Sequence, residues 1–144
     1  MTLNTALKTS SAVKLNNIID IINTDWDLCN KTINISIGSE VPLIEQINSH
    51  ITKNPGKKIR PILSLLIAKC FNYSGKNHAV LGAIIELIHT ATLLHDDVID
   101  SSDTRRGQKT ANNIWGNTAS ILTGDFLYSK SFQLMTKLES LEIM

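Results

Sequence analysis

Apolar residues recur at helical spacing along most of the chain, and this pattern predicts a series of amphipathic helices. One runs from Val13 to Ile33, a second through Val41 to Ile51, and a third through Ile59 to Cys70. A last helix is predicted from about Thr118 to the end of the chain.

A fourth predicted helix, from about His78 to Asp100, is apolar around most of its circumference. Such a helix is usually buried. Its remaining stripe carries Glu86, His89, Asp96 and Asp100. A polar stripe on a buried helix must face other polar groups, water or a ligand.

Short polar segments separate these helices. Ser39 is the predicted N-cap of the second helix, 54–56 is a turn, and 101–113 is a loop. Thr32 to Ile37 alternates briefly and is interpreted as a loop. Because no segment sustains a two-residue alternation, the sequence predicts an all-α helical bundle with short connections. Residues 1–12 are expected to be a flexible N-terminus ahead of one helical domain at 13–144.

Composition narrows the function classes without choosing among them. Hydrophobic residues make up 42% and charged residues 19%, as in an ordinary soluble protein, and the net charge of +1 favours neither nucleic acid nor a membrane surface as partner. Cys29 and Cys70 match no metal-binding spacing and are expected to be free thiols. With no signal-like N-terminus and no obvious transmembrane run, we expect a cytoplasmic protein.

Asp96 and Asp100 form the most informative pair of the sequence. Residues at i and i+4 of a helix lie on one face, about 6 Å apart. Two carboxylates at that distance repel by about 3 kcal/mol at an effective dielectric constant of about 20. A cation between them would remove this cost, and hard carboxylate ligands suit magnesium.

Two basic clusters flank the acidic pair along the chain. Arg105 and Arg106 follow it in the predicted loop, and Lys57 and Arg60 lie at the start of the third helix. Helix N-termini and arginine pairs both suit phosphate oxygens. Each cluster alone is more typical of a solvated surface, but together with the acids they indicate magnesium bridged to phosphate.

Several other polar and aromatic residues have simpler interpretations. His95 is expected to pack, Asp97 to support the acidic pair from behind, and Asp125 to be a buried hydrogen-bonded group. Four aromatic residues are expected in the core: Trp26, Trp115, Phe126 and Phe132.

Three ordered motifs together resemble those of the trans-polyprenyl diphosphate synthases, in particular the long-chain members. They are Pro-Gly-Lys-Lys-Ile-Arg-Pro at 55–61, the segment from Glu86 to Asp100 with His-Asp-Asp-Val-Ile-Asp at 95–100, and Arg-Arg-Gly at 105–107. Gly-Asp-Phe-Leu at 124–127 is also similar. The resemblance extends over roughly residues 15–144.

The resemblance implies an all-α bundle of the isoprenoid synthase type, usually a homodimer, that adds isopentenyl diphosphate units to an allylic diphosphate. Asp96 and Asp100 would bind Mg²⁺ bridging the allylic diphosphate, and Arg105 would contact that diphosphate. Isopentenyl diphosphate would be held by a second set: Lys57, Arg60, His89 and Arg106.

The chain departs from the family pattern in two places. The usual Gly-Gly-Lys-Arg reads Pro-Gly-Lys-Lys at 55–58, with Lys57 and Arg60 retained. Family members are about twice as long and carry a second aspartate-rich motif, whereas the only acids after Arg106 are Asp125, Glu139 and Glu142. We therefore expect a truncated N-terminal portion, with weak or no activity alone.

Small residues before the acidic pair suggest the product class. Thr92 lies one turn before Asp96, beside Ala91. In the family, bulky aromatics there stop the growing chain early, so the resemblance implies a long-chain product.

Two alternatives stay open from the sequence. His95 and Asp96, with His50 and His89, could instead ligate a transition metal in an HD-type phosphohydrolase. The chain could also be an inactive fragment that binds diphosphate or pairs with another subunit.

Overall fold

The structure, a computed structural model, describes residues 17–142, and helices dominate it. Residues 17–21 are helical, and they are followed by α1 (Asn23–Ile37), α2 (Pro42–Thr52), α3 (Ile59–Cys70), α4 (Asn77–Ile99), β1 (Thr104–Arg105), β2 (Gln108–Lys109), α5 (Ala111–Trp115) and α6 (Asn117–Thr136). This confirms the predicted all-α bundle. The segment expected to be flexible, 1–12, lies outside the described residues, as does Val13.

Helix α4 is the centre of the bundle and packs against α1, α3 and α6. Its buried positions Ala79, Ala83, Leu87, Ala91 and Leu94 all belong to the main hydrophobic cluster. The prediction of a buried helix is therefore confirmed. By length and composition α4 is also apolar enough to cross a bilayer, which is only a weak indication because core helices of soluble proteins meet the same test.

The first predicted helix differs from the observed one in two respects: the observed helix is interrupted, and it ends later than predicted. The helix is interrupted at Ile22, whose ψ of 18° is not helical. Helix α1 then continues to Ile37, so the predicted loop at Thr32–Ile37 was wrong. The hydroxyls of Thr32 and Ser36 donate to carbonyls four residues earlier, at 2.8 and 2.7 Å. These polar side chains are thus satisfied within the helix, although they produce a strand-like alternation.

The start of α2 also differs from the prediction. The helix begins at Pro42, and Val41 occupies the N-cap position. The Ser39 hydroxyl accepts a hydrogen bond from the Val41 N–H at 3.1 Å. Ser39 therefore stabilises the turn before the helix and is not its cap.

The predicted loop at 101–113 contains a two-stranded antiparallel hairpin, in which Arg105 pairs with Gln108. Its two-residue turn, Arg106-Gly107, has positive φ at both positions (52° and 77°), as type I′ hairpins require. Residues from Ala111 onward already belong to α5. The loop therefore carries both arginines in a fixed hairpin.

The last helix and two of its side chains were also mispredicted. Helix α6 ends at Thr136, ahead of the predicted end of the chain. Phe132 is 55% exposed and is not a core residue, whereas Trp26, Trp115 and Phe126 pack against the core. The Asp125 side chain is 61% exposed, so it is not buried.

Candidate functional site

A cavity of about 180 Å³ opens beside the second half of α4, between the ends of α1 and α2 and the β hairpin. Its apolar lining includes Ile33, Ile37 and Leu87. Three residues predicted to form the site also line it: His89, Arg105 and Arg106. The cavity therefore combines an apolar wall with cationic side chains.

The acidic pair lies at the end of α4 next to this cavity. The Asp100 N–H donates to the Asp96 carbonyl at 2.8 Å, so the helical i, i+4 relation holds there. Both residues are exposed, and neither forms an ion pair with another residue of the described part of the chain. The pKa of Arg105 is raised mainly by its hydrogen bond to Asp97, and the charges of Asp96 and Asp100 add to this shift. The charge of Asp96 also partly opposes the lowering of the pKa of His89. The pair thus lies within electrostatic range of two cavity residues.

Asp97 differs from its neighbours because its side chain is only 6% exposed. The Arg105 guanidinium donates to its Oδ1 from Nε at 2.9 Å and from Nη2 at 2.8 Å. This hydrogen bond is the main reason that the pKa of Arg105 is raised. Sequence reasoning missed the pair, although a signal existed: Asp97 follows the apolar Leu94 by three residues, and a buried carboxylate needs a partner.

Arg106 lies against the segment that precedes α3. Its Nη1 donates to the Asn54 carbonyl at 3.1 Å. A Cβ placed on Gly56 would come within 2.3 Å of the same nitrogen, and Gly56 has a φ of 71°. Position 56 therefore requires a glycine for two reasons: the backbone has a positive φ, and the neighbouring guanidinium leaves no room for a side chain.

Lys58 is a second residue that the sequence interpretation passed over. It occupies the left-handed region (φ 46°) at the N-cap of α3. Its Nζ donates to Asn30 Oδ1 at 2.8 Å and lies 6.0 Å from the centre of the Trp26 ring. Lys58 therefore attaches the segment before α3 to α1 and does not serve as a free surface cation.

The other two predicted cations lie at the start of α3. Lys57 and Arg60 are both exposed, and the N-cap of the helix makes no side-chain hydrogen bond. The first N–H groups of such a helix are available to an anion. The pKa of His89 is lowered mainly by burial, and the charge of Arg60 adds to this shift, which places Arg60 in electrostatic range of α4. The structure shows no hydrogen bond or ion pair joining Lys57 to the other predicted residues within 17–142.

Charges from several elements converge on Glu86 and His89 of α4. Burial raises the pKa of Glu86, and the positive charges of Lys58, Arg60 and Arg106 oppose this shift. Burial also lowers the pKa of His89, and so do the nearby guanidinium groups, against the opposite effect of Asp96. His89, Arg105 and Arg106 thus line one cavity, and the charges of Arg60, Asp96 and Asp100 act on His89 or Arg105. Within residues 17–142 no such connection is seen for Lys57.

The acidic pair supplies carboxylate oxygens, which are ligands that hard divalent cations take in proteins. Among residues 17–142, no three His, Cys, Asp or Glu side chains are grouped so that they could hold a metal ion. Mg²⁺ usually binds through one or two carboxylates together with waters and substrate phosphates. The pair Asp96 and Asp100 fits that arrangement.

The histidines do not form the alternative site. The His95 ring lies near Tyr128, and its Nε2 is 3.2 Å from the Ile121 carbonyl. The His50 ring packs on Trp115, and its Nε2 is 2.8 Å from the Lys109 carbonyl. Because each imidazole is engaged with a different element, the geometry does not support an HD-type phosphohydrolase. His95 packs as predicted.

Comparison with known proteins agrees with this geometry. The profile of the polyprenyl synthetase family matches residues 41–144. Octaprenyl diphosphate synthase of Escherichia coli K12 is 46% identical over 132 residues, which cover 92% of this chain and 41% of that protein. A nonaprenyl diphosphate synthase of Rhodobacter capsulatus is 40% identical over 128 residues, or 88% of this chain and 39% of that protein.

Solved structures of polyprenyl synthases also resemble the fold of this chain. A decaprenyl diphosphate synthase from Rhodobacter capsulatus superposes with a TM-score of 0.85 at 41% identity, covering 89% of this chain and 40% of that one. A Caulobacter crescentus polyprenyl synthase, solved with calcium and isoprenyl diphosphate, has a TM-score of 0.84 at 35% identity, over 89% and 39%. The chain thus spans about 40% of the length of these proteins. Its motifs, fold and relatives agree that this chain belongs to the polyprenyl synthetase family.

Proposed function

We propose that the protein containing this chain is a long-chain trans-polyprenyl diphosphate synthase. It is a prenyltransferase that adds isopentenyl diphosphate units to an allylic diphosphate. The observation that carries the proposal is the cavity beside α4, whose lining combines apolar residues with His89, Arg105 and Arg106. Cations and a carboxylate gathered beside an apolar cavity suit a ligand with an anionic head and a hydrocarbon body.

The allylic diphosphate belongs at the acidic end of α4 in this proposal. Asp96 and Asp100 would hold Mg²⁺ there, and the ion would supply positive charge that stabilises the diphosphate leaving group. Arg105, whose pKa is raised by the neighbouring carboxylates, stays charged and contacts the same diphosphate. Preorganised cations of this kind stabilise charge that develops as the carbon–oxygen bond breaks.

Isopentenyl diphosphate belongs on the other side of His89. Arg60 and Lys57 lie at the free N-terminus of α3, and Arg106 lies against the preceding segment at Asn54. Together with His89 they would hold the second diphosphate and align its double bond for attack on the allylic carbon. Positioning two reactants in this way is a large part of catalysis in a bimolecular reaction.

The same proposal includes the setting of the whole protein. We place it in the cytoplasm as a homodimer, with no nucleic acid partner. The net charge of +1 gives no electrostatic reason for binding nucleic acid.

The proposal is tested by binding of inorganic diphosphate to the chain, measured by calorimetry with and without Mg²⁺. We expect binding only with the metal, and its loss on addition of a chelator. Asp96→Asn and Asp100→Asn should each weaken it roughly tenfold or more, since each removes a charged metal ligand.

Asp27 provides the matched control, because it is an exposed aspartate of α1 that does not line the cavity. Asp27→Asn removes the same charge and should leave the affinity unchanged. Binding that ignores Mg²⁺, or that falls equally in all three variants, would contradict the proposed site.

A further inference from the structure

Asp97 lies between the two exposed carboxylates along the chain but faces a different environment. Successive residues of a helix point about 100° apart, so Asp97 is turned away from Asp96, whereas it lies only about 60° from Asp100. Its side chain is buried and lines the cavity, whereas Asp96 and Asp100 are exposed. A buried carboxylate of this kind is stable only with a charged or hydrogen-bonding partner.

That partner is Arg105, and the geometry of the contact leaves part of the guanidinium free. Asp97 Oδ1 accepts from Nε and from Nη2 of Arg105. A guanidinium has five N–H donors, so three remain, two of them on Nη1. Within residues 17–142 Arg105 makes no other side-chain hydrogen bond, and its side chain is 37% exposed. The arginine is therefore held by one edge, while the opposite edge is available to a ligand.

The backbone of Asp97 also fixes the segment that carries Arg105. Its carbonyl accepts from the Ser102 N–H at 2.9 Å and from Asn112 Nδ2 at 3.2 Å. Asn112 Nδ2 also reaches the Ser102 carbonyl at 3.2 Å. One residue of α4 thus holds the connection on both sides of the hairpin and the arginine within it.

We propose that Asp97 is a positioning residue, which holds Arg105 so that its free edge meets the diphosphate beside Asp96 and Asp100. This role rests on the proposed function. It differs from the role proposed for Asp96 and Asp100, because the Asp97 carboxylate is buried and bonded to Arg105, whereas those two carboxylates are exposed. Holding the guanidinium in place also removes the entropy cost of ordering a long side chain when the ligand binds.

The test compares the affinity of the chain for inorganic diphosphate with Mg²⁺ in Asp97→Asn, Arg105→Met and the double variant. We expect each single variant to raise the Kd roughly tenfold, because each removes a charge-assisted contact or its geometry. The double variant should bind no more weakly than Arg105→Met alone, because Asp97 then has no arginine to position. Asp27→Asn is the control for lost charge and should leave the Kd unchanged.

The outcomes separate a failure of the positioning role from a failure of the proposed function. The positioning role would be overturned if the two single-variant increases in Kd multiplied in the double variant, or if Asp97→Asn left the Kd unchanged. Either result would leave the proposed function standing. A wild-type chain that does not bind diphosphate with Mg²⁺ would overturn both.

A second measurement needs no substitution, and it decides the matter if Asp97→Asn unfolds. Nitrogen-15 NMR should show the Arg105 Nε–H protected from exchange in the free chain and still protected after addition of Mg²⁺ and inorganic diphosphate. Loss of that protection when the ligand is added would mean that Arg105 leaves Asp97, and would overturn the proposal.

Discussion

Single residues near the end of α4 acquire different roles from one helical step to the next. Asp96 is exposed and available to a ligand, whereas Asp97 is buried against Arg105. The helical period predicts that the two aspartates diverge, but it does not predict which partner the inner one finds. Similarly, Gly56 is readable as a turn residue, but the guanidinium that occupies its side-chain space belongs to Arg106.

Gly56→Ala tests whether this close approach positions Arg106. We expect the Kd for isopentenyl diphosphate, measured by calorimetry, to rise roughly tenfold because the guanidinium is displaced. Gly116→Ala is the matched control: φ is 85° there, but an added Cβ would meet nothing within 4 Å. Each substitution should cost about 1–3 kcal/mol of stability through backbone strain, and only Gly56→Ala should change affinity. Equal affinities in the two variants would contradict the positioning of Arg106.

The lowered pKa of His89 predicts a pH dependence of stability. Burial and nearby arginines disfavour its protonation in the folded state, so the unfolded chain binds that proton more readily. The stability that neutral His89 contributes is present above its ordinary pKa of about 6.5, and it is lost as the pH falls toward the lower pKa of the folded state. Glu86 acts oppositely, because its raised pKa favours the folded state on protonation.

The measurement is the free energy of unfolding in urea between pH 7.5 and pH 5, for wild type and for His89→Gln. Since Glu86 is present in both proteins, their difference isolates the histidine. We expect the wild type to lose more stability than the variant on acidification. Parallel curves would show that His89 titrates alike in the folded and unfolded chains.

At the scale of elements, the bundle depends on the packing of α6 against α4. The Ser120 hydroxyl of α6 donates to the Leu94 carbonyl of α4 at 3.0 Å. Gly124 lies so close to His95 that a Cβ there would be 2.3 Å from Nε2. The periodicity of α6 predicted a helix, but only the packing shows which face it buries.

Leu127 and Leu122 provide a matched pair on α6. Leu127 is fully buried and Leu122 is 58% exposed. Leu127→Ala should lower the free energy of unfolding by about 2–5 kcal/mol, because it removes buried methyl groups and leaves a cavity. Leu122→Ala should change it by no more than about 0.5 kcal/mol, as usual at the surface. Similar losses measured by urea unfolding would contradict the packing of α6 described here.

At the scale of the whole molecule, the proposed site depends on four elements that meet beside the cavity. Helix α4 supplies the acids and His89, α3 supplies Arg60, and the hairpin supplies both arginines, while α1 holds Lys58 in place. None of these elements contains a complete diphosphate site. Diphosphate binding at the proposed site would therefore depend on their relative placement.

The product length of the whole protein can be tested in a chimera. This chain would replace the matching segment of the Escherichia coli octaprenyl diphosphate synthase, with which it shares 46% identity. Thr92, which bonds to the His89 carbonyl at 2.7 Å, lies one turn before Asp96. We expect the chimera to elongate farnesyl diphosphate, and Thr92→Phe to shorten the products because a larger side chain blocks the growing chain.

Chromatography of the products made from radiolabelled isopentenyl diphosphate gives the measurement. Thr92→Ser keeps a small side chain and should leave the product length unchanged. The same product length in Thr92→Phe would refute the role of this position.

The sequence by itself determined the features that depend on local geometry. Helical periodicity predicted most of the helices, the i, i+4 spacing paired Asp96 with Asp100, and the ordered motifs indicated the family. Boundaries such as Ile37 were missed because side-chain bonds to the helix backbone satisfy Thr32 and Ser36, which local pattern does not show.

Only the tertiary structure decided which partners the charged groups meet. Lys58 and Asn30 are 28 positions apart, and Arg106 and Asn54 are 52 apart, so chain spacing does not predict either contact. The partner of Asp97 likewise depends on the hairpin turning Arg105 back toward α4. These contacts are set by how the elements pack, because a buried charge must find its partner wherever the fold brings one within reach.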